Sequence, residues 1–236
     1  MCLGRCGLAS GWRKPVTKDF PQGEFTSFKG PTGAPVRKFV VQVDSLFNLP
    51  KGDTLRLVAA ISDTCRGARV DGAHLGIDRT GNGAGVHDIL VNNFHASTKG
   101  INPSTSPTER RIMQEDQKLP CDEYAWLVSE LWFAVRKYVE YGYLKIHPNV
   151  PQDPLFHELT GRRFELTGQK TKVESKKAYK SRGNRSPDRA DALTMMLHAV
   201  RLNLGAPPSA TSTGVPDRPG SGKQRISSIY RMEAPL

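Results

Sequence analysis

The sequence has no long apolar run and few cysteines, and each of these absences excludes a class of protein. No stretch approaches the ~18 consecutive apolar residues of a membrane span. The first residues, MCLGRCGLASGW, lack the extended apolar centre of a signal peptide. The four cysteines among 236 residues are too few and too scattered for a disulfide framework. We therefore expect a cytoplasmic protein that does not associate with membranes.

The sequence also lacks a loop for binding nucleotides. A Walker-type loop needs the pattern G-x-x-x-x-G-K-[ST]. The nearest match, GSGKQ at 220–224, lacks the first glycine and the hydroxyl residue. Gly81, Gly83 and Gly85 follow a predicted strand, but their spacing does not fit the dinucleotide fingerprint. We expect this chain to use no nucleotide and to hydrolyse no ATP.

What the sequence has in excess is positive charge. There are 34 lysines and arginines against 23 aspartates and glutamates, which gives a formal net charge of +11. A surplus of this size favours a polyanionic partner, because neutralising phosphates releases bound counterions. A basic surface that serves only solubility is the alternative. The length suits one sizeable domain with tails.

Strands and helices alternate along the middle of the chain, which predicts an α/β layered fold. Residues 1–36 are predicted to be irregular, with one short strand near 6–12. Three prolines make 99–120 a predicted loop, and the composition of 205–236 is typical of a flexible tail. The patterns predict strands in RKFVVQV, GAHLGID, YLKIH and RRFELT, and helices after Asp53, in VHDILVNNF, in CDEYAWLVSELWFAVRKYVEYG and from Asp188 to Leu204.

Asp78 is the first candidate for chemistry. It ends the predicted strand HLGID and precedes the glycine-rich turn RTGNGAG. Ligands of open α/β sheets bind outside the carboxyl ends of the strands, so Asp78 is well placed to hold one. The alternative is that Asp78 caps the turn and that the glycines only allow tight backbone angles.

A second pair of acids, Asp188 and Asp191, opens the last predicted helix. Residues three apart face roughly one side of a helix, so both carboxylates can bind one metal ion. Stabilisation of a helix N-terminus by acidic residues is the alternative. Acids that hold Mg²⁺ or Mn²⁺ beside cations that hold phosphates are typical of a metal-dependent nuclease. The flanking cations are Lys172, Lys176, Lys177, Lys180, Arg182, Arg185 and Arg189.

Three segments, in this order, resemble the nuclease domain of the large terminase subunit of tailed phages. They are HLGIDRTGNGAGVHDIL, ELWFAVRKYVEYGYLKI and VESKKAYKSRGNRSPDRADALTMML, and the resemblance covers about 37–204. It implies an RNase H-like mixed sheet flanked by helices. It also implies an endonuclease that cuts concatemeric viral DNA with two metal ions, Mg²⁺ or Mn²⁺. The implied partners are double-stranded DNA, the portal and the small terminase subunit.

The resemblance assigns roles to single residues by motif match. Asp78 matches the metal-binding acid on the fourth strand, and Asp188 matches the acid on the last helix. Asp191 is then either a nearby catalytic helper or a salt-bridge partner. Glu174, in KVESK, is expected to be a structural acid.

The sequence departs from the family in one essential respect. RNase H-like nucleases carry a further acid on their first, central strand. Asp44, in FVVQVDSL, would fall on the third strand, toward the sheet edge, and Asp19 is a poor substitute. The ATPase motor of the family is also missing. We therefore expect the back part of a terminase, without its first catalytic strand and with little or no cleavage in isolation.

Two other functions stay open from the sequence. The first is a non-catalytic module that binds DNA or the packaging complex through the same basic surface. The second is another RNase H-like nuclease, of the resolvase or transposase type. The long aromatic helix and the ending SPDRADAL favour the terminase.

Overall fold

A computed structural model of the chain describes residues 2–6, 28–29, 35–36, 40–49 and 52–208. Helices and short strands alternate through these ranges, as predicted. The strands are β1 Cys2–Cys6, β2 Phe28–Lys29, β3 Pro35–Val36, β4 Val41–Leu46, β5 Gly76–Asp78, β6 Lys99–Ile101, β7 Leu144–Ile146, β8 Phe164–Thr167 and β9 Lys170–Val173. The helices are α1 Thr54–Gly67, α2 Gly83–Asn93, α3 Pro120–Glu123, α4 Leu127–Glu140, α5 Gln152–Gly161, α6 Lys176–Ser181 and α7 Asp188–Leu204.

The strands form several small sheets. The largest has three strands in the order β1-β4-β7, with β4 antiparallel to β1 and parallel to β7. Strands β5 and β6 form a separate parallel pair, and β8 and β9 form an antiparallel hairpin. Asp44 lies on β4, which is the middle strand of its sheet. The expectation that this strand lies toward the sheet edge is therefore wrong for the described residues.

Helix α7 joins the separate sheets. It packs against β1 from one sheet and β5 from the other, as well as against α4 and α5. Its buried leucines, Leu193 and Leu197, belong to the main core. Strand β1 pairs with β4 and β5 pairs with β6, and within the described ranges no strand lies between β1 and β5.

The helix predicted over CDEYAWLVSELWFAVRKYVEYG is divided into α3 and α4. Between them the backbone is extended: Tyr124 pairs with Thr171, and the amide of Ala125 donates to the carbonyl of Thr171 over 3.0 Å. The prediction of one helix failed because contact with β9, distant in sequence, interrupts it. The prediction that its aromatic residues lie in the core is confirmed for Tyr124, Trp132 and Tyr138, which are buried, and is wrong for Trp126, which is 48% exposed.

Five elements were missed by the sequence patterns. Strands β2 and β3 lie in the segment 1–36, which was predicted to be irregular apart from one strand near 6–12. Strand β6 lies inside the predicted loop 99–120, and β9 and α6 lie in the basic segment before Asp188. Strands of three or four residues with polar side chains depend on their pairing partner, which local pattern does not reveal. Helix α6 has a local signal: Ser175 caps it and accepts the amide of Ala178 at 3.1 Å.

The ends of the chain are only partly described. Strand β1 precedes the strand expected near 6–12, most of which lies outside the described residues. The start of the predicted flexible tail is bound to the domain: the amide of Gln114 donates to Pro207 O at 3.0 Å, and Tyr143 Oη donates to Pro208 O at 2.6 Å. Residues 209–236 lie outside the described residues. None of the described helices is both long and apolar enough to span a bilayer.

A buried ion pair fastens the loop after β6 to the helices. Glu130 on α4 is fully buried and accepts from Arg201 Nη2 on α7 at 2.8 Å. The same carboxylate accepts from the backbone amide of Thr108 at 2.6 Å and from its hydroxyl at 2.8 Å. The guanidinium of Arg201 also donates to the carbonyl of Arg110 at 3.0 Å. Helix α4, helix α7 and the loop therefore share one charged centre.

We expect Arg201→Met to lower the free energy of unfolding by about 3–5 kcal/mol, because it leaves the charge of Glu130 buried without its partner. Urea unfolding followed by circular dichroism measures this loss. The exposed pair Arg136–Glu140, at 2.8 Å, supplies the control, and Arg136→Met should cost under about 1 kcal/mol. Equal losses in the two variants would contradict a structural role for the buried pair.

Candidate functional site

Asp78 lies where β5 ends, as predicted, and its side chain is half-buried. Its Oδ1 accepts the backbone amide of Thr80 at 2.8 Å and the hydroxyl of Thr80 at 2.7 Å. These two bonds hold the carboxylate at the carboxyl edge of the β5–β6 pair. Asp78 therefore takes part in the turn, and both roles considered from the sequence are compatible with its position.

The glycines after Asp78 shape the turn. Gly81 has a φ of +54°, a conformation that side-chain-bearing residues rarely adopt. A Cβ at Gly83 would clash with the carbonyl oxygen of Asp78, so only glycine lets α2 begin this close to β5. The first two glycines thus have structural roles that account for them, and they position Asp78.

Asp188 opens α7 but does not cap it. The first free amides of the helix, from Arg189 and Ala190, donate to Oε2 of Glu158 on α5 at 2.8 and 2.9 Å. Glu158 also binds Arg189 Nη1 at 3.0 Å. Asp188 is exposed, and its Oδ1 accepts the hydroxyl of Ser186 at 2.7 Å. Because Glu158 satisfies these helix amides, the carboxylate of Asp188 is free to bind something else.

Asp191, one turn later, lies in a buried ionic network. It is 7% exposed, and its Oδ2 is 2.7 Å from Lys176 Nζ while its Oδ1 is 3.6 Å from Arg162 Nη1. Burial raises the pKa of Asp191, and the two cations oppose that rise. The Arg162 guanidinium lies over the ring of Trp132, 4.7 Å from its centroid. This geometry favours the salt-bridge role for Asp191.

Strand β5 and helix α7 run in opposite directions side by side. Asn203, near the end of α7, donates to the carbonyl of Ala73 at 3.4 Å. Farther along the strand, a Cβ on Gly76 would lie 3.5 Å from the carbonyl of Met195. The carboxyl end of β5 and the amino end of α7 therefore lie at the same end of the pair, and Asp78 and Asp188 occupy those two ends.

Carboxylate oxygens are the ligands that Mg²⁺ and Mn²⁺ prefer, so Asp78 and Asp188 suit such an ion chemically. Within the described ranges, no group of three or more His, Cys, Asp or Glu side chains is arranged to hold a metal. Asp44 lies in the other sheet, where Gln42 donates to it at 2.8 Å, and Asp19 lies outside the described residues. Among the described residues, the candidate metal ligands are therefore the two carboxylates of Asp78 and Asp188.

Glu174 has the structural role expected for it. It pairs with Arg182, whose Nη2 lies 2.6 Å from its Oε2, and it accepts the backbone amide of Arg163 at 3.1 Å. These hydrogen bonds hold the pKa of Glu174 below its usual value, with Arg182 the main cause. Arg182 also donates to the carbonyl of Gly161, so it fastens α6 to the end of α5.

The seven cations named from the sequence divide into two groups. Four are paired with acids of the chain: Lys172 with Glu165, Lys176 with Asp191, Arg182 with Glu174, and Arg189 with Glu158. The other three are Lys177, Lys180 and Arg185, which are exposed and form no ion pair with the described part of the chain. These three side chains therefore remain accessible to a partner outside the described part of the chain.

Two residues of the site were missed from the sequence. Glu158, in FHELTG, gave no local sign that it caps a helix thirty residues later. Arg162 received no role from the sequence, yet it is 2% exposed and donates to the carbonyl of Glu174. Burial lowers the pKa of Arg162 from its usual value, and Asp191 counteracts this. Both roles depend on tertiary contacts.

No protein-family model matches this chain, and no curated protein matches it. Solved structures do. The nuclease domain of the large terminase subunit gp2 of bacterial virus Sf6 superposes with a TM-score of 0.57 at 19% identity, over 72% of this chain and 85% of that domain. A lysine-to-alanine variant of it solved with manganese gives 0.57 at 18% identity, over 68% and 82%. The variant solved with calcium gives 0.57 at 18%, over 71% and 84%.

At this level of identity the likeness concerns the fold. The mixed α/β fold class predicted from the sequence is confirmed, and the fold is similar to that of a terminase nuclease domain. The described part of this chain therefore has the fold of the nuclease domain of a phage large terminase subunit.

Proposed function

We propose that this chain is the nuclease part of a phage DNA-packaging terminase, a metal-dependent endonuclease that cuts double-stranded DNA. The single observation that carries the proposal is the position and exposure of Asp188. It lies at the first turn of α7, exposed and relieved of capping by Glu158. A carboxylate left free at the same end as Asp78, in a fold similar to a terminase nuclease, supports metal binding there.

The residues have distinct tasks in this proposal. Asp78 and Asp188 would hold a divalent ion, which when bound would supply charge to polarise the scissile phosphate and to lower the pKa of a water molecule. Thr80 and Ser186 orient the two carboxylates through hydrogen bonds. Asp191 is a positioning residue, because it fixes Lys176 and Arg162 beside the helix. The similar Sf6 domain was solved with manganese and with calcium, which supports a divalent cation.

Two carboxylates hold a metal less tightly than three. The further acid used by RNase H-like nucleases would lie on a strand between β1 and β5, next to Asp78. We therefore expect this chain alone to bind metal weakly and to cut slowly. The portal and the small terminase subunit are the partners that this function implies. A non-catalytic DNA-binding module is the second candidate, favoured by the unpaired cations Lys177, Lys180 and Arg185.

We expect slow nicking of supercoiled plasmid in Mg²⁺ or Mn²⁺ that stops when EDTA is added. Either Asp78→Ala or Asp188→Ala should slow it at least about tenfold, because each removes a metal ligand. Agarose-gel analysis of the open-circular product measures the rate. Asp44→Ala is the matched control and should cut normally.

Nicking that survives both Asp78→Ala and Asp188→Ala would show that the ligands are misassigned. Loss of cutting in Asp44→Ala would show that Asp44 itself is the further metal-binding acid. Tight DNA binding with no cutting in any divalent metal would favour the second candidate over the nuclease.

Asp188 and Asp191 should respond differently to the same change, although they lie in one helical turn. Asp188→Asn should weaken Mn²⁺ binding and leave stability within about 0.5 kcal/mol, since the residue is exposed. Asp191→Asn should cost about 3 kcal/mol of unfolding free energy, because it leaves Arg162 buried without its counter-charge. Calorimetric titration with Mn²⁺ and urea unfolding separate the two effects. If instead Asp188→Asn lowered stability and Asp191→Asn weakened Mn²⁺ binding, Asp191 would be the metal ligand and Asp188 the salt-bridge partner.

The unpaired cations should dominate the salt dependence of DNA binding. Each phosphate contact contributes about 0.9 to the slope of log K against log salt concentration, so replacing Lys177, Lys180 and Arg185 by Ala should lower the slope by about 2.7. Fluorescence anisotropy with a labelled duplex at several salt concentrations measures it. Arg136→Ala on α4 is the control. An unchanged slope in the triple variant would remove these residues from the interface.

A further inference from the structure

His198 is a buried histidine on α7 whose ring lacks a full set of hydrogen-bond partners. The residue is 5% exposed, and among the described residues nothing bonds to its Nδ1. Residues three apart share one side of a helix, so His198 faces the same way as Arg201, which binds the buried Glu130. His198 therefore adjoins this charged centre without taking part in its ion pair, and the proposed nuclease function does not use it.

The loop after β6 is held to the same side of α7. Arg110 Nη1 donates to the carbonyl of Leu202 at 3.1 Å, and the carbonyl of Arg110 accepts from Arg201 Nη2 at 3.0 Å. One step along the loop, the amide and hydroxyl of Thr108 donate to Glu130. The loop is thus fastened to α7 and α4 by the charged centre that the histidine adjoins.

The charged centre has no acceptor left for a positively charged imidazole. Both oxygens of Glu130 already accept hydrogen bonds, from Arg201 and Thr108. Within the part of the chain that the structure describes, Nε and Nη1 of Arg201 have no partner. Burial lowers the pKa of His198 to about 3, and the positive charges of Arg201 and Arg110 lower it further. The closed loop therefore requires a neutral His198 ring.

Charged groups on the other elements that pack against α7 do not compensate a charge at this position. Glu158 on α5 binds the first turn of the helix, and Asp78 on β5 lies at that same end. Eight helical residues span about 12 Å, so these acids act only weakly on His198. The 3₁₀ turn Gly72–His74 packs against α7 as well, and His74 adds positive charge when it is protonated.

We propose that His198 is a proton-sensitive switch, which keeps the loop closed on α7 while its ring is neutral and releases the loop when the ring is protonated. In the open state the ring meets water and has the ordinary histidine pKa of about 6.5. The closed state therefore keeps its full stability above about pH 6.5 and loses it as the pH falls below that value. At pH 5.5 the open population should be about tenfold larger than at pH 8.

Residue-resolved hydrogen exchange in the unaltered protein tests the switch. The amide of Thr108 reports on the loop, and its protection factor should fall about tenfold between pH 8 and pH 5.5. The buried amide of Val173 reports on the rest of the domain and should keep its protection factor within about twofold. His198→Gln, whose side chain stays neutral, should remove the pH dependence at Thr108. His157→Gln, at an exposed histidine on α5, is the matched control and should respond like the unaltered protein.

An unchanged protection factor at Thr108 overturns the proposal, as does the same fall in His198→Gln. An equal fall at Val173 also overturns it, because the domain would then open as a whole. If His198→Gln does not fold, the ring signals of His198 in the unaltered protein decide the question by NMR. A ring that stays neutral in the closed state at pH 5.5 supports the switch, whereas a charged ring at pH 7 rejects it.

Discussion

The carboxylate of Glu158 accepts the amides of the second and third residues of α7, and the geometry of the candidate site depends on this contact. Helix N-termini leave amides without partners, and a residue that satisfies them contributes on the order of 1 kcal/mol. Its negative charge also interacts favourably with the helix dipole. The acid comes from α5 rather than from the helix itself. As a result, three acids near one helix start have three roles: Glu158 caps, Asp191 balances buried cations, and Asp188 stays exposed.

Helix α7 is held at both ends by buried charge. At its start are Glu158 and the network of Asp191 with Arg162, and near its end Arg201 binds the buried Glu130 on α4. Paired buried charges contribute little net stability, yet an unpaired one is costly, so such pairs tolerate few alternative packings. Between them, the apolar side of α7 covers β1 and β5. Helix α7 is thus held in place at both ends, and its first turn carries the candidate metal ligand Asp188.

Much of this arrangement could be predicted from local sequence. The bounds of α7, the capping of α1 by Asp53 and the position of Asp78 at a strand end all follow from signals within a few residues. The break between α3 and α4 could not be predicted, because it comes from pairing with β9. The sequence also did not reveal which basic residues pair with acids of the chain and which do not. Whether a cation faces DNA or an acid of its own chain depends on partners such as Glu165, seven residues from Lys172.

Under the proposed function, one further strand would account for both the separate sheets of the described residues and the need for a third carboxylate. Strands β1 and β5 both pack against α7, and β1 pairs with β4 whereas β5 pairs with β6. A strand between them would satisfy the backbone groups of both edges, which are costly to leave unpaired when buried. If it ended beside Asp78, an acid there would face Asp188 as well. The same strand would then complete the sheet and supply the third carboxylate, so folding and metal binding would be strengthened together.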